Sequence, residues 1–145
     1  MANLKQKFIK PGRDYNYSEG VKVYNGSGAD IAEGDILVTV GYSGPFCSVK
    51  KALATNTLSC NGRLLIAKQA IPNTGYGVGL PWKLVTGVNT NAITAGDVVY
   101  ISNAGAIAAG KGTIARVLGH CVTSHPTTGS WLFSGDLDIA GVKAT

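Results

Sequence analysis

Asp35 and Asp97 are the two carboxylates of this sequence that share a repeated setting, and paired carboxylates can perform acid–base catalysis when they converge on one substrate. Each follows a glycine inside a similar phrase, Ile31–Val38 and Ile93–Tyr100, and the two phrases begin sixty-two positions apart. A Gly-Asp pair before a β-branched run is more typical of a turn, in which the aspartate accepts hydrogen bonds from nearby backbone amides. We therefore predict that the repeated residues form structural turns: Gly34, Asp35, Gly96 and Asp97.

No nucleophile in the sequence is accompanied by a base and an orienting group. Serine does not occur in a Gly-x-Ser-x-Gly elbow, and the two histidines, His120 and His125, have no acid beside them. The alternating glycines of 75–79 resemble a phosphate loop, but Pro81 follows and no helix begins there. We expect a protein that is not an enzyme and uses no cofactor.

The cysteines do not suggest a metal centre or a disulfide framework. Cys47, Cys60 and Cys121 are odd in number and widely spaced, and the sequence contains no Cys-x-x-Cys pair. A structural zinc ion needs four ligands, which these residues and the histidines do not supply at a suitable spacing. We expect no metal, with Cys121 inside a strand and the histidines in exposed loops.

The positive charge is concentrated near the N-terminus. The net charge is +5, and four basic residues stand within ten positions that contain no acid. They are Lys5, Lys7, Lys10 and Arg13. Nucleic-acid-binding domains usually spread their basic residues over a face, so we expect no direct nucleic-acid partner. No apolar run is long enough for a membrane helix, and we expect a protein made in the cytoplasm without a membrane partner.

Residues 1–20 have the pattern of an extended arm that binds a partner. Apolar and basic residues alternate from Leu4 to Lys10, and a merely solubilising terminus would not need its apolar side chains. Such a segment suits addition to the edge of a partner's sheet. The predicted binding residues of the arm are Leu4, Lys5, Lys7, Phe8, Ile9, Lys10, Arg13, Tyr15 and Tyr17.

The rest of the chain reads as short strands separated by frequent turns. The predicted strands are 21–24, 36–42, 46–51, 64–71, 76–80, 83–88, 98–102, 115–123 and 130–134, with a loop or short helix at 52–60. Strands this short with so many turn signals indicate an all-β barrel or sandwich. We predict one β domain at 21–134 and a tail at 135–145.

A second repeated element follows each Gly-Asp phrase. Gly62–Ala67 and Ala115–His120 each place an arginine before an apolar strand. The order Gly-Asp strand, spacer and arginine-led strand is therefore doubled. Two copies are too few for a solenoid, so we predict a compact body built from two similar β units.

These motifs, in this order after a basic arm, resemble the small capsid decoration, or cement, proteins of tailed bacteriophages. The resemblance covers about residues 21–134 and includes the Gly-Asp phrases, the arginine-led strands, Ile71-x-x-x-Gly75-x-Gly77 and Gly87-Val88. It implies a β-clip-like or small β-barrel body that forms homotrimers on the outer surface of the virion's head. It also implies that the arm orders against the major capsid protein and that the protein stabilises the expanded shell.

Two other functions remain open from the sequence. One is a different virion role, such as the base of a head fibre or a minor tail protein. The other is a small β-module that binds carbohydrate or a single nucleic-acid strand through Trp82 or Trp131. The latter would need aromatic residues clustered on one strand face with basic residues beside them.

Overall fold

A computed structural model describes residues 20–135 of the chain, which form ten β-strands and one short 3-10 turn. The strands are β1 (Val21–Asn25), β2 (Ile36–Ser43), β3 (Phe46–Lys51), β4 (Leu64–Ala67), β5 (Tyr76–Leu80), β6 (Lys83–Val88), β7 (Val98–Ile101), β8 (Ile107–Ala108), β9 (Val117–Thr123) and β10 (Gly129–Phe133). The predicted all-β class and small barrel are confirmed. Within the described part, no helix is long and apolar enough to cross a membrane.

The ten strands form two units with the same strand order. In the first unit the order is β1-β5-β4-β2-β3, and β3 pairs with β1 to close a barrel. In the second unit the order is β6-β10-β9-β7-β8, which repeats the first order strand for strand. The doubled sequence pattern therefore corresponds to a doubled topology.

The Gly-Asp phrases make the same backbone contacts in both units. In the first, the Gly34 N–H donates to the Ala67 carbonyl and the Ala67 N–H donates to the Asp35 carbonyl, both at 2.9 Å. The second phrase makes the same two bonds to Cys121, at 2.8 and 2.9 Å. Both glycines have a positive φ, +87° and +91°, which a side chain would disfavour. The glycine is thus required by the turn that precedes β2 in the first unit and β7 in the second.

The arginine-led strands are also equivalent, with one extra residue in the second unit. The Thr39 N–H donates to the Arg63 carbonyl at 2.9 Å, and the Ile101 N–H donates to the Arg116 carbonyl at 3.1 Å. Beyond Arg116, the register with β7 shifts so that Leu118 has no opposite residue. This bulge displaces the rest of β9 by one position from the match that the sequence predicts.

The second unit stays open because its last strand is short. In the first unit, six-residue β3 lies parallel to β1, with Val23 opposite Cys47. The corresponding β8 has two residues and is followed by the sequence Ala-Gly-Lys-Gly at 109–112. Among the described residues, β8 pairs only with β7 and β6 only with β10. The second sheet is a half-barrel with two unpaired edges.

Two apolar clusters hold the structure together. The barrel interior contains Val23, Ile31, Leu37, Val49, Leu65, Ala67 and Ile71. The second cluster joins the outer face of the barrel to the inner face of the half-barrel, and it contains Ile36, Val38, Ala52, Ala54, Leu64, Ile66, Ile93, Val99, Ile101, Leu118, Cys121, Trp131 and Phe133. Strands β2 and β4 contribute to both clusters by alternation of their side chains. Strand β4 and residues 36–38 of β2 are therefore buried on both faces.

Polar contacts also connect the two units. The Ala54 N–H donates to the Ser102 carbonyl at 3.1 Å, and the Ile114 N–H donates to the Ala54 carbonyl at 2.8 Å. The Arg116 guanidinium crosses to the first unit and donates from Nη2 to the Gly62 carbonyl at 3.0 Å. The open sheet is thus fixed against the closed barrel by hydrogen bonds as well as by its core.

One predicted strand ends early, the short strand β8 was not predicted, and the loop or short helix predicted at 52–60 is confirmed. The strand predicted at 64–71 ends at Ala67, and Ile71 instead forms an isolated antiparallel bridge with Ile31. The segment 52–60 contains a 3-10 turn at Thr57–Ser59, whose Asn56 side chain accepts from the Ser59 N–H. The other predicted strands that the structure contains agree within two residues at each end.

Candidate functional surface

The predicted structural residues Asp35 and Asp97 lie in separate units, at the turns that precede β2 and β7. The Asp35 carboxylate accepts from the Ala32 N–H at 2.9 Å and lies 3.7 Å from the Lys51 ammonium. Asp97 is exposed, and its backbone N–H donates to the Thr94 carbonyl at 2.9 Å. These contacts are those of a turn, since each aspartate bonds with backbone of its own loop.

The cysteine and histidine side chains described below make local structural contacts. Cys121 is buried, and its Sγ lies 3.6 Å from the Ile93 carbonyl oxygen. The His125 Nδ1 accepts from backbone amides of its own turn at 3.0 and 3.1 Å. His120 was expected in an exposed loop, but it lies half-buried within β9, which covers most of the strand predicted at 115–123. Within residues 20–135, no three metal-ligating side chains come close enough to hold an ion.

Cys60 is also a buried free thiol. Cys60 is buried beside the 3-10 turn, and its Sγ lies 3.6 Å from the Asn56 carbonyl oxygen. Loss of hydration raises the pKa of the Cys60 thiol above its ordinary value of 9.0, and the charge of Arg116 opposes part of that rise. The thiol is therefore neutral and unreactive at neutral pH.

Three aromatic rings form a cluster on the outside of the barrel, which we call the aromatic face: Tyr24, Phe46 and Tyr76. Tyr24 and Tyr76 are register partners on β1 and β5, and their ring centroids are 5.3 Å apart. Phe46, on β3, lies 4.6 Å from the ring of Tyr76. Tyr76 remains 56% exposed although it contacts both rings. Aromatic side chains in this state are typical anchors for a macromolecular partner.

The strand pattern explains why these rings point outward. Val23 directly precedes Tyr24, and Cys47 directly follows Phe46; both belong to the barrel interior. Because side chains alternate along a strand, the rings of Tyr24 and Phe46 face solvent. Lys22 lies two positions before Tyr24 on the same side and is exposed. Strands β2 and β4 make most of the contact with the half-barrel, together with Leu80 of β5, whereas the rings of the aromatic face do not belong to that shared core.

The half-barrel has an outer row of its own, formed by Leu84, Leu132 and His120. These residues are register partners across β6, β10 and β9. Leu84 is 50% exposed, and the neighbouring Trp82 is 48% exposed. The molecule thus presents exposed apolar side chains on both of its sheets.

An open cleft of about 490 Å³ lies between the 3-10 turn and the β2–β3 hairpin. Its described lining includes Val40, Leu58 and the amide of Asn61, and the titratable side chain among these lining residues is Lys50. A single cation without a partner acid or nucleophile provides no acid–base pair. The cleft could hold a polar chain segment of a partner.

The predicted binding residues of the arm, from Leu4 to Tyr17, lie outside the described residues. Of the two tryptophans, Trp131 is buried in the core, where its ring meets Phe133 edge-on at 6.0 Å. The aromatic cluster on the barrel was not predicted from the sequence. Comparison of the chain with protein-family models, curated proteins and solved structures found no match.

Proposed function

We propose that this protein is a virion structural protein that binds the outside of an expanded bacteriophage head and stabilises the shell as a decoration protein. The proposal starts from the resemblance of its motifs to that family. The observation that carries it further is the aromatic face, a group of partly exposed rings on a body with few charges. Aromatic residues grouped in this way favour binding to another protein surface.

The major capsid protein is the proposed partner of this face and of the arm. The arm joins the body at Gly20, immediately before β1, and Tyr24 of the aromatic face lies on the same strand. An arm that adds to a sheet edge and a nearby group of rings would engage adjacent parts of one capsid subunit. The lysines of the arm would favour an acidic capsid surface.

Self-association into homotrimers is the second part of the proposal. The outer row lies on the half-barrel, apart from the aromatic face on the barrel, and its exposed Leu84 offers a contact for a neighbouring copy. A trimer would engage several capsid subunits at once, so weak individual contacts would act together. Such cross-bridging is the physical means by which a bound layer resists loss of subunits from a shell.

The test is co-sedimentation of the purified protein with expanded heads that lack it. We expect saturable binding, and the variant Tyr76→Ser should bind at least about tenfold more weakly because it removes an aromatic anchor. Tyr42→Ser is the matched control, since Tyr42 is an exposed tyrosine that belongs to neither the aromatic face nor the outer row. Normal trimers with no binding by the wild-type protein would reject the decoration role. Equal binding by both variants would reject the aromatic face as the contact.

Binding of a single nucleic-acid strand or a carbohydrate is a second candidate, because Lys22 stands beside the aromatic face. Exposed rings flanked by cations can stack on bases or sugars. Titration with a short oligonucleotide and with an oligosaccharide, followed by tyrosine fluorescence, tests this function. Saturation by either ligand, abolished by Tyr76→Ser, would favour it over a capsid partner.

A further inference from the structure

A groove of about 310 Å³ lies at the seam between the half-barrel and the barrel. The outward side chains of Ile36 and Ile66 form its floor, and Val85, Ile107 and Trp131 line its sides. Its walls are therefore mainly apolar. Ile36, Ile66 and Trp131 are already buried, and an extended segment with apolar side chains would cover the half-buried Val85 and Ile107.

The backbone at this groove is also prepared for a further strand. Val85 belongs to β6 and Ile107 to β8, the two strands with unpaired edges among the described residues. In the first unit the corresponding strands, β1 and β3, pair with each other. An unpaired edge offers a row of backbone donors and acceptors to any extended segment that lies beside it.

One acidic residue, the exposed Glu33, lines the groove. Asp30 and Asp35 lie on the same loop but do not line the groove, and Asp35 is paired with Lys51. These three are among the four acidic residues within 20–135, the fourth being Asp97. A segment with lysines beside its apolar residues would complement Glu33, whereas an acidic segment would be repelled.

The N-terminal arm has the composition that fits. Residues 4–10 contain the apolar side chains of Leu4, Phe8 and Ile9 together with three lysines, Lys5, Lys7 and Lys10. No acid occurs among residues 1–13. The C-terminal residues 136–145 begin with Asp136 and Asp138 and would bring like charges toward Glu33. Charge therefore selects the N-terminal segment.

The attachment point of the arm is close to the groove. A side chain at Gly20 would meet Leu80 Cδ2 at 3.1 Å, so the arm leaves the barrel beside Leu80. Leu80 is paired with Ile66, which forms the groove floor. Two strand spacings amount to about 10 Å, whereas ten extended residues can span about 33 Å. The arm can therefore reach the groove of its own molecule.

We propose that residues 4–10 dock in this groove of the same molecule as an added strand along β6, with their lysines near Glu33. Docking would protect the unpaired edge when no partner is present. This inference goes beyond the proposed function and does not depend on it, because it concerns the isolated protein.

Hydrogen exchange of the full-length protein, followed by mass spectrometry without shells, tests the inference. In the double variant Phe8→Ser, Ile9→Ser, we expect the amides of β6 to exchange at least about tenfold faster, with β1–β5 unchanged. The control Tyr15→Ser, Tyr17→Ser changes the arm outside the docking segment and should leave β6 as in the wild type. Unchanged exchange of β6 in the first variant would overturn the inference.

A charge exchange provides a second, independent test. Glu33→Lys should accelerate exchange of β6, and combining it with Lys5→Glu and Lys7→Glu should restore protection. Failure of the combined variant to restore protection would contradict the proposed polarity. If protection of the β6 amides depends on protein concentration, the groove is occupied by a second copy. If that protection requires Asp136 and Asp138, the groove is occupied by the C-terminal segment. Either result overturns the inference. Shell binding plays no part in these measurements, so their failure is distinct from failure of the decoration role.

Discussion

Strand β4 should be equally sensitive to truncation on both of its faces. Leu65 points into the barrel and Ile66 toward the half-barrel, and each is 1% exposed. Replacing either residue with alanine removes a buried aliphatic group and leaves a cavity, at a cost of about 2–5 kcal/mol. We therefore expect Leu65→Ala and Ile66→Ala to destabilise the protein by similar amounts, near 3 kcal/mol on that scale.

The assay is thermal and urea unfolding of both variants with Leu84→Ala as a control. For a chain of 145 residues, an unfolding entropy of about 2.1 cal/mol/K per residue converts about 3 kcal/mol into a Tm decrease of about 10 °C. The half-exposed Leu84 should cost less than about 1 kcal/mol. If Ile66→Ala matched the Leu84→Ala control while Leu65→Ala did not, the half-barrel would not pack on β4, and the shared core would be refuted.

Three further predictions concern single positions. Gly119→Ala should prevent normal pairing of β9 with β10, because a Cβ there would overlap a backbone carbonyl. Gly110→Ala is the control: a Cβ at this position would meet open space, so the variant should unfold like the wild type in a urea titration. Gly34→Ala and Gly96→Ala should each cost about 1–2 kcal/mol through their positive φ, and a large difference between them in the same titration would contradict the equivalence of the turns. The raised pKa of Cys60 means that the folded state retains the proton longer, so stability should fall as pH rises above 9.0. Cys60→Ala should lessen this alkaline loss in melting curves across that range, and an identical loss would show that another group causes it.

The sequence predicted the strands and the doubling because those signals are local. The Gly-Asp turns are marked by glycines that need a positive φ, and the arginine-led strands by their apolar runs. The double burial of β2 and β4 was also available in principle, since Leu64–Ala67 is a continuous apolar run typical of a strand covered on both faces.

Other features depend on contacts that no local pattern specifies. Closure of the first barrel rests on parallel pairing of β1 with β3, strands separated by the whole of β2. The bulge at Leu118 adds one residue to β9, and no change of residue type along that strand marks its position. The aromatic face depends on the closure of the barrel, because its rings come from β1, β3 and β5 and become neighbours only when the barrel closes. The residues of the arm lie outside the described part, and their role stays a prediction.

Electron cryomicroscopy of expanded heads incubated with saturating protein would show whether this protein decorates the shell. We expect additional density on the outer surface of the shell, with the aromatic face and the arm directed toward the major capsid protein and copies arranged in threes. Shells that remain bare at saturating protein, or density confined to the tail, would contradict the decoration role.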